Sequence, residues 1–293
     1  MTRVCGTWNC DIRDNGTAFY VKEAFRALPG VEFIHHRPGT DAPPADFYLY
    51  VDDGQDWIEW IPPRPNCYWA IDTHLGYGYR QWKAKQFDRV YVAQKAALAD
   101  LRRDGVKKVE WLPLACSPAH HPTAKELIAQ GATPECLVQC WDLVFVGYIY
   151  HEYKEGQNDR VEYLDKLSQR FRNLWVSSDR FHQEMAARYV KGKIGFNVSI
   201  ADDLNMRCFE IMSTRTPLLT NRDVVGIDDL FSEGVHYIGY KGVAEMIEQA
   251  DKALRNEYDL MKIADAAYAE VRSKHTYAHR AKTILEGMTN AEN

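Results

Sequence analysis

Arg207 and Glu210 stand three residues apart within KGKIGFNVSIADDLNMRCFEIMSTRTPLLTN, residues 191–221. On a helix, at about 100° per residue, Asp203, Arg207, Glu210 and Thr214 share one stripe, and Leu204, Cys208, Ile211 and Met212 share another. The apolar stripe suits packing on a sheet. The polar stripe sets a cation one turn inside a helix start and a carboxylate one turn further on. A diphosphate suits the cation together with the free N–H groups of the helix terminus. Ribose or sugar hydroxyls suit the carboxylate. The competing reading is an Arg–Glu surface ion pair at i, i+3, and spacing alone favours it.

The elements needed to position these residues are legible on either side. An extended apolar run over 194–200 precedes the helix, and a second buried-looking strand over 216–220 follows it. Strand, tight loop with Ser199 and Asp202, helix opening at Asp203, and strand again make a βαβ half-unit. Ligands in such units sit at the carboxyl ends of the strands.

The same alternation runs through the chain. Strands are expected over 4–8, 32–36, 47–51, 67–71, 89–92 and 108–111, then over 142–147, 173–177, 194–199, 217–220 and 235–238. Helices are expected over 17–28, 79–86, 94–103 and 124–130, with the turn DIRDNG before the first. This argues for an α/β fold with parallel, doubly wound sheets. A Pro-rich stretch after Leu112 reads as an interdomain connection.

Read with its neighbours, the segment NVSIADDLNMRCFEIMSTRTPLLTN resembles the donor-binding region of CgeB-like, group 1 (GT4-related) glycosyltransferases. NCYWAIDTH at 66–74, AKQFDRVYVAQK at 84–95, VEWLPLACSP at 109–118, DLVFVGY at 142–148 and HTYAHRAKTIL at 275–285 resemble the family's other blocks, in its order. The resemblance implies a GT-B fold, two Rossmann-like domains facing across a cleft. The first would span 1–139 and bind the acceptor, and the second would span 140–274 and bind the donor. A C-terminal helix within 275–293 would cross back to the first domain.

It also implies the chemistry. A sugar would leave a nucleotide diphosphate, UDP-sugar favoured, for an acceptor hydroxyl, with the anomeric configuration retained. No metal or true cofactor is expected, since side-chain cations and helix N-termini would meet the leaving group's charge. Lys193 and Arg207 are the expected cations, with N–H groups near Gly147 and after Asp202. Asn197, Ser199, Asn205 and Glu210 complete the expected donor set. Glu210 aligns with a family glutamate placed towards the ribose. Eight residues earlier the family pattern has another glutamate, and this chain has Asp202. An N-cap is an equally physical role for that residue. Lys193 is equally open to a solvated strand-edge reading.

In the first domain, Asp72 and His74 end a strand and enter the loop LGYGY. Asp72 suits an acceptor hydroxyl or its base, and His74 a sugar or phosphate contact; either also suits a loop cap. Gly76 and Gly78 suit close backbone approach or a turn, and Gly16 with Thr17 opens the first helix. His35-His36 and His120-His121 lack metal-ligand spacing. The acidic run DDGQD at 52–56 reads as a solvated loop.

Composition bounds the rest. The 293 residues, 46% hydrophobic and 12% aromatic, suffice for two cores, and the formal charge of −5 argues against general nucleic-acid coating. Seven cysteines without C-x-x-C spacing read as reduced thiols. With no apolar core in MTRVCGTWNC and no run of about 20 apolar residues, a cytoplasmic protein without integral membrane contact is expected. Locally, residues 80–108 carry nine Lys/Arg against three Asp, interleaved with Trp82, Phe87 and Tyr91. That pattern suits either a polyanion, such as DNA with hydroxymethylated bases, or two ordinary amphipathic helices. Glycan, lipid and protein acceptors stay open.

Overall fold

The computed structural model describes residues 1–8, 16–52, 58–149, 158–201 and 203–290, with the backbone alone at 158 and 159. Asp202, residues 53–56 of the acidic run, residues 11–15 of the expected turn and Cys10 lie outside them. The chain divides into two compact units. One joins Met1–Leu114 to Tyr277–Asn293, and the other is Ala115–Thr276. Residues 115–139 thus pack with the second unit, whereas the sequence reading put them with the first.

Unit 1 runs β1 (Thr2–Trp8), α1 (Thr17–Ala27), β2 (Val31–His36), β3 (Phe47–Val51), β4 (Asn66–Ala70), α2 (Tyr77–Ala84), β5 (Arg89–Val92), α3 (Ala96–Arg103) and β6 (Val109–Trp111). Its sheet is parallel throughout, in the order β2-β1-β3-β4-β5-β6. FYLYV and NCYWA are buried at every position, as strands covered on both faces require.

Unit 2 runs α4 (Ala124–Ala129), β7 (Trp141–Val146), α5 (Asn158–Arg170), β8 (Leu174–Ser177), α6 (His182–Val190), β9 (Gly192–Phe196), α7 (Met206–Ser213), β10 (Leu218–Asn221), α8 (Ile227–Leu230), β11 (Ile238–Tyr240), α9 (Gly242–Leu254) and α10 (Leu260–Lys274). Its parallel sheet has the order β11-β10-β9-β7-β8. The strand order reverses between β7 and β9, and such a switch point opens a crevice at the strands' carboxyl ends. Leu143, Phe145, Ile194, Phe196 and Leu219 form its buried core with Leu164 and Leu167 of α5 and Met246 of α9.

The last helix, α11 (Tyr277–Thr289), belongs to unit 1, where Tyr277 stacks on Tyr20 of α1 with ring centroids 5.2 Å apart. Arg280 is buried and donates to Pro113 O at 2.7 Å. No helix among the described residues is long and apolar enough to cross a membrane.

Two local expectations fail for identifiable reasons. α7 begins at Met206, after an extended N-cap at Asn205, and not at Asp203. Leu204 is buried, Asp203 N–H closes a turn on Ile200 O at 3.1 Å, and the Asn205 side chain reaches Asn197 and Ser199, so 203–205 are held as loop. Asp52 is no solvated residue. It is 1% exposed, pairs with Arg80 at 2.7 Å and accepts the Tyr68 hydroxyl at 2.7 Å.

Candidate functional site

The switch point of unit 2 is organised around Arg207, the second residue of α7. Its Nε donates to Val146 O at 2.7 Å, and its Nη1 to Asn197 Oδ1 at 2.9 Å. Its Cζ lies 4.6 Å from the centroid of the Phe145 ring. Among the described residues Nη2 has no hydrogen-bond acceptor, and it lies beside Gly147, where a Cβ would overlap it. Two of three donor directions therefore fix the fork, and the third faces the backbone that follows β7.

Asn197, the residue after β9, holds this arrangement. It is fully buried, and its Nδ2 lies 2.9 Å from Thr220 Oγ1 and 3.2 Å from both Ser199 Oγ and Cys208 Sγ. Its carbonyl accepts the Tyr240 hydroxyl at 2.7 Å. Asn205 Nδ2 donates to Asn197 Oδ1 and to Ser199 Oγ, each at 3.2 Å, and Ser199 N–H donates to Asn221 Oδ1 at 2.8 Å. With so many partners Asn197 positions the arginine and has little left for a ligand. Burial pushes the Cys208 thiol up to about 12, so it stays protonated and packs as an apolar group.

A second cation stands here that sequence reasoning missed. Arg160, in the first turn of α5, is 7% exposed and donates to Tyr148 O at 2.6 Å and Val198 O at 3.4 Å. Its Cζ is 5.7 Å from the same Phe145 ring. The signal was present: Arg160, Leu164, Leu167 and Phe171 follow helical spacing on the buried stripe of α5. A cation on such a stripe needs a reason to be there. Both hydrogen bonds of Arg207 go to neutral oxygens, which leaves its charge available to an anion.

Glu210 sits one turn after Arg207 but points into the unit. It is 6% exposed, and its Oε1 lies 3.5 Å from His121 Nε2. Burial pushes the carboxyl up to about 7, with Arg207 opposing. His121 is fully buried, and desolvation holds it well below its ordinary value. Its Nδ1 takes the Ser117 N–H at 3.1 Å, so the ring proton belongs on Nε2, facing Glu210. His121, read from spacing as unable to hold a metal, is thus the partner of the site's carboxylate.

Lys193 is not brought to this group. It is the second residue of β9, near the strand's amino end, and pairs with Asp142 at 2.8 Å with half its side chain exposed. Asp72 and His74 belong to unit 1, in the loop after β4. Arg80 donates to Ile71 O at 2.7 Å and to Leu75 O, and Thr73 N–H donates to Gln94 Oε1 at 3.0 Å. The loop between is thereby fixed at both shoulders. Asp72 has φ 53°, a left-handed conformation that costs a non-glycine residue. Gly76, the N-cap of α2, has φ 80°, where glycine is the natural occupant, while a Cβ at Gly78 would meet open space. Gly16 is the N-cap of α1 and Thr17 its first residue, both at the carboxyl side of β1.

The carboxyl ends of a parallel sheet at its switch point are where such folds bind ligands. Residues 142–286 match the family model described as glycosyl transferase-like. This stretch, which lies almost wholly in unit 2, is thus similar to a glycosyltransferase domain. The fold of the whole chain is GT-B, shared with solved glycosyltransferases at low identity. Sucrose-phosphate synthase from Thermosynechococcus elongatus matches with a TM-score of 0.63 and 10% identity, over 99% of this chain and 100% of that one. Anabaena HepE, in complex with UDP and glucose, matches with 0.66 and 10%, again over 99% and 100%. An α-glucosyltransferase in complex with UDP and a 13-mer DNA containing an HMU base matches with 0.68 and 9%, over 98% and 99%. No curated protein sequence matches the chain.

Proposed function

We propose that this protein is a retaining, metal-independent glycosyltransferase of the CgeB-like branch, acting in the cytoplasm on a UDP-sugar. The observation that carries the reading is Arg207, pinned through Nε and Nη1 with Nη2 unspent beside Gly147 at the switch point. A diphosphate seated there would meet Arg207, Arg160 and the N–H groups around Gly147 and the start of α7. Each charged hydrogen bond to phosphate contributes about 1.5–3 kcal/mol. Arg160 takes the role that the sequence gave to Lys193. Ser199 and Asn205 lie in the same loop, and Glu210 reaches towards the ribose once it turns from His121.

In the reaction the bond between the anomeric carbon and the diphosphate oxygen breaks, and a bond to the acceptor oxygen forms on the same face. The acceptor's proton passes to the departing diphosphate, whose negative charge the two arginines stabilise. Asp72 orients the acceptor hydroxyl, and His74 contacts the sugar or phosphate. The acceptor reading is a hydroxymethylated pyrimidine in DNA, supported by the cations of residues 80–108, with a surface glycan second. Extrusion of the base would be required in duplex DNA.

The test is turnover of UDP-, GDP- and dTDP-sugars by the whole chain and by Arg207→Ala, followed by mass spectrometry against hydroxymethylated DNA and glycan acceptors. Slow donor hydrolysis lost in the variant supports the reading. UDP binding without turnover on any acceptor would make the chain a non-catalytic nucleotide or glycan-binding module, and an inverted product would remove same-face attack.

A further inference from the structure

Unit 1 carries a second charged feature at the other end of its sheet. A pocket of about 400 Å³ is lined by Arg64, Lys85, Lys107 and Lys108, with Asp88 as the carboxylate among them. Arg64 lies two residues before β4, Asp88 immediately before β5, and Lys108 immediately before β6. The pocket is therefore at the amino ends of these strands. Asp72 and His74 follow the carboxyl end of β4, a strand of five residues, or roughly 16 Å away.

Asp88 does not neutralise the lysines. Its Oδ1 pairs with Arg64 Nη1 at 2.7 Å, and its Oδ2 accepts the Asn66 N–H at 3.0 Å. Among the described residues, no carboxylate lies within ion-pairing distance of Lys85, Lys107 or Lys108. The backbone of Lys85 and Lys108 is nonetheless fixed. Lys85 caps α2 through an N–H bond to Gln81 O at 3.3 Å, and Lys108 O accepts the Val90 N–H at 2.8 Å. Trp82, 39% exposed, sits one turn before Lys85 on the same helix. In a chain of formal charge −5, three unpaired cations at one concavity concentrate positive potential.

We propose that this pocket binds a backbone phosphate of a nucleic acid and is a docking point remote from Asp72 and His74. Exposed lysines contribute little to holding one small anion in water. They gain affinity when a polyanion releases its condensed counterions over several contacts. Trp82 adds a face on which an unpaired base can stack. Arg80 and Lys83, though part of the same basic stretch in sequence, are buried and take no part. For the identity of the partner the proposal rests on the DNA reading above, but it does not depend on sugar transfer.

The test is fluorescence anisotropy of a labelled DNA duplex with the full chain over a series of salt concentrations. One triple variant carries Lys85→Gln, Lys107→Gln and Lys108→Gln. A control triple carries Lys125→Gln, Lys166→Gln and Lys262→Gln, the same charge change on unit 2. The pocket triple should bind at least about tenfold more weakly and flatten the logarithmic salt slope by roughly 2–3, at about 0.9 per phosphate contact. The control should stay within about twofold. Equal weakening by both triples overturns the site, as does a chain that binds no duplex while inorganic phosphate moves the Lys107 and Lys108 amide resonances. UDP-sugar hydrolysis by the pocket triple should match the parent, which separates failure here from failure of the donor reading.

Discussion

The Arg207 guanidinium occupies the space a side chain at position 147 would need. A Cβ there would run into Nη2, Cζ and Nε. Gly147→Ala must therefore move the fork from Val146 O and Asn197 Oδ1. The far end of a flexible side chain can move without unfolding the unit, so binding should suffer and the fold should not. We expect UDP affinity to fall about 10–100-fold, the loss of one or two charged hydrogen bonds, with the melting temperature nearly unchanged. Calorimetric titration with UDP checks the first and a thermal melt the second.

Arg207 and Arg160 approach one Phe145 ring, with Cζ at 4.6 and 5.7 Å. If both meet the leaving diphosphate, Arg207→Lys should lower the rate by about 10²–10³, because the ammonium keeps charge but loses the fork. Arg160→Gln should cost a similar amount. The double variant should cost less than the product of the two, since both act on one developing charge. Single-turnover rates with the four proteins measure that coupling.

Lys193 provides the opposite expectation. Its ion pair with Asp142 is half exposed and lies at the amino end of β9. Lys193→Gln should leave UDP affinity within about twofold and change stability by less than about 1 kcal/mol. A large loss of UDP affinity would return Lys193 to the donor site.

Glu210 should make the fold sensitive to pH near neutrality. Burial raises its carboxyl from 4.5 to about 7, so the folded state favours the neutral acid. The stabilisation is fully present below the unfolded value and is lost as pH rises through the folded one. A rise of about 2.5 units corresponds to at most about 3 kcal/mol. Glu210→Gln removes this titration. Its stability relative to the parent should grow between about pH 4.5 and 7 and level off above. Urea denaturation across this range is the measurement.

The parallel sheets and the helix carrying Arg207 follow from patterns visible in sequence, because periodicity and buried apolar runs are local, whereas the return of α11 to unit 1 was implied only by the family resemblance. Residues 115–139 were harder to assign. A Pro-rich stretch looks like a linker, but the ion pair of Arg272 with Glu126 and the contact between His121 and Glu210 tie it to unit 2. Helix spacing found Arg207 and Glu210 but could not tell that they diverge, one to the switch point and one to a histidine some ninety residues earlier. Lys193 was misplaced because sequence proximity to a loop does not say which end of a strand a residue occupies. Arg160 was missed because a charged residue on an apolar stripe was not weighed as a signal.

Asp52 and Arg80 are the least expected pair in unit 1, at 1% and 2% exposure and 2.7 Å apart. Tyr68 completes the carboxylate's shell, and burial beside Asp52 raises the Tyr68 phenol well above its ordinary value, keeping it a donor. Arg80 meanwhile holds Ile71 O and Leu75 O, the shoulders of the loop carrying Asp72 and His74. Asp52→Asn would break this buried ion pair, and removing one partner of such a pair typically costs about 3–5 kcal/mol. The strain should reach the loop through Arg80. Chemical denaturation should therefore show that loss, and amide exchange at Thr73 and Leu75 should quicken. Tyr68→Phe removes a single hydrogen bond to the same carboxylate and should cost only about 1–3 kcal/mol. If Asp52→Asn proved no worse than Tyr68→Phe, the pair would not be the strut that positions this loop.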